Sequence, residues 1–304
     1  MRSQALAGLT VTVLGGDDRE LVLIPALAAQ GATVRVVGFP RLPQLEVAEL
    51  VSDLQQAVRG ANVIILPMPG TDDEGVIRAV YSPTKLVLTE ETLRCIPRHA
   101  VIFIGTARPF LKNWATRYGL KLVEIAEEDE VAVLNSIPTA EGAIQLAMQE
   151  LPTTIHGAQA FVVGFGRIGQ TLARGLLGLG ARVTAVARKP AALARAYEMG
   201  CRPLPFASLP EAIAEAEVIF NTVPAMILDA SLLARVSPQG VIIDLASAPG
   251  GTDYEAAAAL GIKAIFAPGL PGKVAPRTAG EILARVIPRL IREHLGLGPS
   301  VVGQ

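Results

Sequence analysis

The sequence predicts an α/β chain of two doubly wound parallel-sheet domains, and three observations carry that prediction. Short apolar, β-branched runs alternate with helical patterns along all 304 residues, the order that builds parallel sheets covered on both faces. The two halves open alike: VTVLGGDDRELVLIPALAAQGATVRVV can be laid over AFVVGFGRIGQTLARGLLGLGARVTAV, with Gly15 on Gly164 and Gly31 on Gly180. The second of these stretches places GFGRIG between a strand and a helix.

The elements follow in order. Thr10–Leu14 reads as a strand, then a helical pattern runs to about Gln30. Thr33–Val37, Val63–Leu66 and Val101–Ile104 are further strands, each an apolar run bounded by turn residues, and Lys121–Ile125 is a sixth element. The acidic run Glu127–Glu130 and then NSIP lead into a helix expected over Thr139–Glu150, with LPTTIHG as its exit. A second series has strands at Ala160–Gly164, Arg182–Ala187, Glu217–Thr222, Val241–Leu245 and Lys263–Phe266. The expected organisation is a flavodoxin-like substrate domain over 1–138, a linking helix over 139–156, a nucleotide-binding domain over 157–275 and a C-terminal helix over 276–304.

Composition excludes several classes. Hydrophobic residues make up 51% and charged residues 18%, a globular balance. The net charge of −1 and the lack of a basic block argue against a nucleic-acid or membrane-surface partner. No apolar run approaches the length of a membrane span, and MRSQALAGLT has no long apolar signal region. Cys95 and Cys201 are isolated and suit a reducing cytoplasm. Four carboxylates in a row at Glu127–Glu130, without histidine, read as a solvated loop, so no metal is expected.

In the second half, Gly164, Gly166 and Gly169 follow an apolar strand and open a helix. That context marks a Rossmann NAD(P)-binding domain, in which Gly164, Phe165, Gly166, Arg167, Ile168 and Gly169 cradle a pyrophosphate. Where a carboxylate would hold the ribose 2′-hydroxyl of NAD, Ala187 has none, and Arg188 and Lys189 come next. These cations suit the 2′-phosphate of NADP. NTVP, with Thr222, Val223 and Pro224, and DLAS, with Leu245 and Ala246, end later strands and are expected to line the nicotinamide side. In the first half Asp17 falls on Gly166 and Glu20 on Gly169. A carboxylate at the second glycine place repels phosphate, so the first half is expected to hold no nucleotide.

GGDDRE, NSIPTAEGA, TIHG, GFGRIG, NTVPAMIL, DLASAPGGTD and APGLPGKVAPRTAGEIL, in this order, span nearly the whole chain. On these stretches the chain resembles the A subunits of bacterial dipicolinate synthase. The resemblance implies an NADP-dependent oxidoreductase that converts dihydrodipicolinate to dipicolinate in the mother-cell cytoplasm of a sporulating bacterium. It implies work with the smaller, flavoprotein-like B subunit of dipicolinate synthase, and an architecture shared with D-2-hydroxyacid dehydrogenases.

That chemistry removes a hydride and a proton and needs cations for two carboxylates. Arg19, at a helix start, is the first candidate, and a first-turn surface position is its alternative. Thr106 and Arg108 follow a strand of the first half, and Arg108 fits a solvated position equally well. Ser136 and Thr139 offer hydroxyls for substrate or caps beside Pro138, where Glu141 reads as a first-turn carboxylate. Lys273 lies in a Pro/Gly-rich loop near the expected cleft. None of His99, His156 and His294 ends a strand of the second half, which counts against a 2-hydroxyacid or amino-acid dehydrogenase, the rival enzyme class. No general base is assigned, so a non-catalytic nucleotide-binding role stays open. So does a homo-oligomer, because EILARVIPRLI suits either domain packing or an interface.

Overall fold

In the computed structural model, which describes residues 4–298, the chain divides into two compact units. The first holds the described residues up to Ala132 and those from Ala275 onward; the second is Val133–Val274.

The first unit contains β1 (Thr10–Leu14), α1 (Glu20–Ala29), β2 (Thr33–Val37), β3 (Ala48–Leu50), α2 (Leu54–Val58), β4 (Val63–Ile65), β5 (Val76–Ile77), β6 (Leu86–Val87), α3 (Glu90–Arg94), β7 (Val101–Ile104), α4 (Pro109–Tyr118) and β8 (Lys121–Glu124). Six of these strands form a parallel sheet in the order β3-β2-β1-β4-β7-β8, while β5 and β6 pair antiparallel as a small hairpin. The strand order reverses between β1 and β4, so the crevice beyond their carboxyl ends is this unit's natural ligand position.

The chain enters the second unit within α5 (Asp129–Glu150). There follow β9 (Gln159–Val163), α6 (Arg167–Gly178), β10 (Arg182–Ala187), α7 (Pro190–Glu198), β11 (Arg202–Pro205), α8 (Leu209–Ala212), β12 (Val218–Asn221), α9 (Ala230–Leu233), β13 (Val241–Asp244), α10 (Tyr254–Ala259), β14 (Lys263–Phe266) and α11 (Leu270–Val274). The sheet order β11-β10-β9-β12-β13-β14 is parallel throughout. Alternate residues of one strand feed opposite cores, as a period of two demands. Ala160 and Val162 pack with α5, α6 and α7, while Phe161 and Val163 pack with α8, α9 and α10. The last helix, α12 (Pro276–His294), returns to the first unit and packs on α1. Gly280 makes that contact close: a Cβ there would stand 2.7 Å from the Arg19 carbonyl oxygen. α12 therefore belongs to the first unit.

Several local expectations differ from the structure for identifiable reasons. The helix expected from Thr139 starts ten residues earlier, at Asp129. Asp129 and Glu130 lie in its first turn, where carboxylates suit the helix dipole, so part of the acidic run is helical rather than looped. NSIP is then mid-helix, with Pro138 inside it. Glu130 pairs with Arg289 at 2.9 Å and with Arg285 at 3.4 Å. The edge strands β3 and β11 are three and four residues long and carry no continuous apolar run; β11 holds two prolines, which only an edge accepts. The histidines serve packing or solvent: His294 stands edge-on to Phe103, His156 lies over Gly180, and His99 is exposed.

Candidate functional site

The glycine turn of the second unit is built by three different requirements. Gly164 has φ +93°, and a Cβ there would run into the Thr222 hydroxyl and come within 2.8 Å of Val223. Gly169 packs its helix on the turn: a Cβ there would collide with the Gly164 carbonyl oxygen. Gly166 is different. It is the N-cap of α6, has no capping side chain, and a Cβ there would meet nothing within 4 Å. The protein's own packing therefore does not require a glycine at 166. An uncapped helix start facing open space is an anion cradle, and a pyrophosphate fits it.

The surrounding candidates divide into backbone and side-chain roles. Phe165 is buried in the core, so only its backbone borders the turn, and its carbonyl accepts from Gln170 Nε2 at 3.2 Å. Arg167 is exposed, while Ile168 packs partly on the core. The Gly164 N–H donates to the Val186 carbonyl at 3.0 Å, tying the turn to the end of β10. Just beyond, Arg188 and Lys189 are both exposed, and neither has an ion-pair partner among the described residues.

The loops after β12 and β13 are joined by a polar knot between Asn221 and Asp244. Asp244 and Asn221 are fully buried at the ends of otherwise apolar strands. Asp244 Oδ1 accepts from Asn221 Nδ2 at 2.9 Å and from the Ala246 N–H at 3.1 Å. Its Oδ2 accepts from the Gly251 N–H at 2.7 Å, the Thr252 hydroxyl at 2.8 Å and the Tyr254 hydroxyl at 3.0 Å. Burial, then the Asp244 charge, raises the Tyr254 phenol above its ordinary value. Asn221 also holds Val223 through both backbone groups, each at 3.1 Å. Thr222 is spent on the turn, donating to the Val163 carbonyl at 3.0 Å. Leu245 and Ala246 are buried, whereas Pro224 is exposed. The signal was present in the sequence: a lone polar residue ends VIFN and another ends VIID.

The equivalent turn of the first unit is occupied by its own chain. The Gly16 N–H donates to the Arg78 carbonyl at 2.8 Å, and the Val80 N–H donates to the Gly16 carbonyl at 2.9 Å. A Cβ at Gly15 would stand 2.7 Å from the Arg78 carbonyl oxygen and 2.9 Å from Ile77. The segment from β5 to Val80 thus lies where a pyrophosphate would have to sit. The start of α1 is also filled, because the Asp17 N–H donates to Glu20 Oε2 at 2.7 Å and the Arg19 N–H to Asp17 Oδ1 at 3.2 Å. The expected phosphate repulsion by Asp17 is therefore not the operating reason. Asp17 is paired, with Arg19 Nε and Nη2 each at 2.8 Å and Arg78 Nε at 3.2 Å. Burial raises its carboxyl, but these cations outweigh that and hold it below the ordinary carboxylate value.

Burial also pushes the Glu20 carboxyl up, to about 7 from 4.5. A folded-state value above the unfolded one stabilises at low pH, and that stabilisation is lost as pH rises through about 7. The first unit is expected to lose on the order of 1–3 kcal/mol between about pH 5 and about pH 8, and Glu20→Gln to flatten that slope. Urea unfolding at both pH values checks this; equal slopes for wild type and variant would remove Glu20 from the account. The Asp17 shift acts in a separate window, below its ordinary carboxylate range.

The substrate candidates fare unevenly. Arg19 is 8% exposed with its fork on Asp17, a buried pair rather than an open carboxylate receptor. Ser136 is 1% exposed, donates to the Val133 carbonyl at 2.6 Å and bonds Thr171 Oγ1 at 2.7 Å. Thr139 donates to the Asn135 carbonyl at 2.7 Å. Both hydroxyls serve mid-helix contacts, because the helix begins before them rather than at them. Thr106 and Lys273 are exposed. Arg108, the N-cap of α4, donates to the Thr71 carbonyl at 3.3 Å and lies 3.5 Å from Asp73. Among the described residues no group of three or more His, Cys, Asp or Glu side chains could hold a metal, and no helix is long and apolar enough to cross a membrane.

Comparison with known proteins agrees with this division. Residues 10–126 match the family of the dipicolinate synthase A-subunit N-terminal domain, and residues 138–265 match the NAD binding domain of D-isomer specific 2-hydroxyacid dehydrogenases. The dipicolinate synthase A subunit of Bacillus subtilis (strain 168) is 44% identical over 289 residues, 95% of this chain and 97% of the relative. The crystal structure of the A subunit from Bacillus halodurans superimposes with a TM-score of 0.91 at 39% identity, over 94% of this chain and 98% of that one. The Escherichia coli D-lactate dehydrogenase, at 17% identity and TM-score 0.63 over 95% and 98% of the two chains, shares the fold alone. With a nicotinamide-binding dehydrogenase domain behind an N-terminal domain of this specific kind, the chain belongs to the family of dipicolinate synthase A subunits.

Proposed function

We propose that this chain is the NADP-dependent component that oxidises dihydrodipicolinate to dipicolinate, working with a flavoprotein-like B subunit in the mother-cell cytoplasm. The observation that carries the reading is the open cradle at Gly166 beside two exposed cations, Arg188 and Lys189, with no ion-pair partner among the described residues. The uncapped start of α6 would hold the pyrophosphate, and Arg188 and Lys189 the 2′-phosphate. Bound NADP⁺ supplies the hydride acceptor. The chain's own part is to bind and orient. Asp244 keeps the Asn221–Pro224 and Leu245–Thr252 loops in register at the carboxyl ends of β12 and β13. With five donors on its two oxygens, Asp244 serves to hold the loops rather than as a general base.

The test is absorbance at the reduced-nicotinamide band with dihydrodipicolinate and NADP⁺, given this chain only, the B subunit only, and the two together. Signal requiring this chain supports the reading. Signal from the partner alone would make this chain a non-catalytic component. For the cofactor, Arg188→Ala is expected to lose about 1–3 kcal/mol of NADP affinity with NAD affinity unchanged, as read by calorimetry. Equal wild-type affinity for the two cofactors would refute the NADP assignment.

A further inference from the structure

The first unit has a nucleotide-type turn that its own chain has filled, and the filling segment carries an arginine. Arg78 lies at the carboxyl end of β1, next to the reversal of strand order between β1 and β4, where open α/β sheets bind their ligands. Its position is set by backbone: its carbonyl accepts from Gly16, and the neighbouring Ala79 bridges to Gly16. Its Nε is held on Asp17 Oδ2 at 3.2 Å, but the side chain is half-exposed at 51%, and neither terminal nitrogen has a partner among the described residues.

Arg78 shares its carboxylate. Asp17 accepts both nitrogens of the Arg19 fork, so one buried cation already neutralises it and Arg78 is the second cation on a single carboxylate. Glu20, the other carboxyl packed against the turn, is pushed by burial to about 7 and carries only part of a charge at neutral pH. Asp18 is exposed and accepts from the Tyr81 hydroxyl, on the solvent side of the same segment. The turn's own Gly16 and Asp17 N–H groups are consumed within the protein, so a phosphate would find no backbone nest. A planar guanidinium with two open nitrogens, anchored at Nε, is a receptor for a two-oxygen anion.

We propose that Arg78, not Arg19, receives a carboxylate of the substrate in the first unit, which makes this turn a carboxylate site derived from a phosphate turn. The proposal rests on the dicarboxylate reading above.

The experiment titrates dipicolinate in metal-free buffer, by calorimetry, into wild type, Arg78→Ala and Arg78→Lys. Steady-state kinetics on dihydrodipicolinate with the B subunit present accompany the titrations. Arg78→Ala is expected to weaken dipicolinate binding and raise KM by roughly 10- to 100-fold, with a smaller change in kcat and NADP affinity held within about twofold. Arg78→Lys keeps the charge but not the fork, so it should recover only part of the loss. Unchanged NADP affinity shows that the second unit is intact, and Arg78→Lys, which retains a cation beside Asp17, guards against local unfolding. Wild-type affinity in both variants, with wild type binding dipicolinate, would overturn the Arg78 site and leave the reading standing. Displacement of dipicolinate by an equal concentration of inorganic phosphate would overturn the assignment of the site to carboxylates. A wild type that neither binds dipicolinate nor turns over its dihydro form would overturn the reading itself, and the Arg78 site with it.

Discussion

Gly166→Asp is expected to lose NADP binding by about 100-fold or more, roughly 2.7 kcal/mol, with no loss of fold. The two halves of that expectation have separate causes. A Cβ at Gly166 meets nothing within 4 Å and φ is −89°, so an L side chain is accommodated. The new carboxylate then stands at the helix start that a pyrophosphate would use. It caps that end from within and sets negative charge against negative charge. Calorimetry with NADP and a thermal melt without it separate the two effects. A variant that melts normally and still binds NADP tightly would show that the cofactor lies elsewhere. Gly169 would make a poor probe of the same question, because a Cβ there strikes the Gly164 carbonyl and the fold would fail first.

The second large effect is expected at Asp244, where stability rather than cofactor contact is at stake. Removing the carboxylate in Asp244→Ala leaves Asn221 Nδ2, the N–H groups of Ala246 and Gly251, and the hydroxyls of Thr252 and Tyr254 without their acceptor in a fully buried position. Unpaired buried donors cost about 1–3 kcal/mol each, and relaxation recovers part of the sum, so a loss of roughly 3–5 kcal/mol is expected in urea unfolding. Asp244→Asn should fall between the two, since an amide keeps one acceptor and turns a donor toward donors. Wild-type stability in Asp244→Ala would mean that water or loop rearrangement replaces the carboxylate at little cost.

Much of the architecture was legible because it rests on local patterning. The strands at Thr10–Leu14, Thr33–Val37, Val101–Ile104, Arg182–Ala187 and Lys263–Phe266 have the bounds their apolar runs suggest. Parallel strands buried on both faces leave that mark in any sequence. The glycine turn was legible for a similar reason, since GFGRIG is a local code for a tight turn, a close approach and a helix start. The elements that were missed lack such a code. β3 and β11 are edge strands defined only by a neighbour, and the β5–β6 hairpin exists because it packs on β1 and β2. The start of α5 was hidden because Pro138 imitates a helix beginning, whereas here it lies inside a helix that α6 supports through the Ser136–Thr171 contact.

The sequence alone marked the two-domain α/β class, the family, and the glycine turn between β9 and α6, since all three are written in short contiguous stretches. The roles of individual polar groups were decided by tertiary structure. Arg19 looked like a receptor at a helix start until Asp17 was seen to hold its fork. Ser136 and Thr139 looked like hydroxyls for a substrate, with capping as the alternative, until the helix was seen to run past them and both were seen to donate to its own carbonyls. Arg78 carried no local signal strong enough to be chosen, and Asp244 was marked only as the polar end of an otherwise apolar strand. Whether a charged side chain is spent or available depends on partners brought from elsewhere in the chain, 61 residues away for Arg78 and Asp17 and 23 for Asn221 and Asp244. Contacts at that separation exist only once the sheets have formed, because parallel strands bring together segments that the sequence keeps apart.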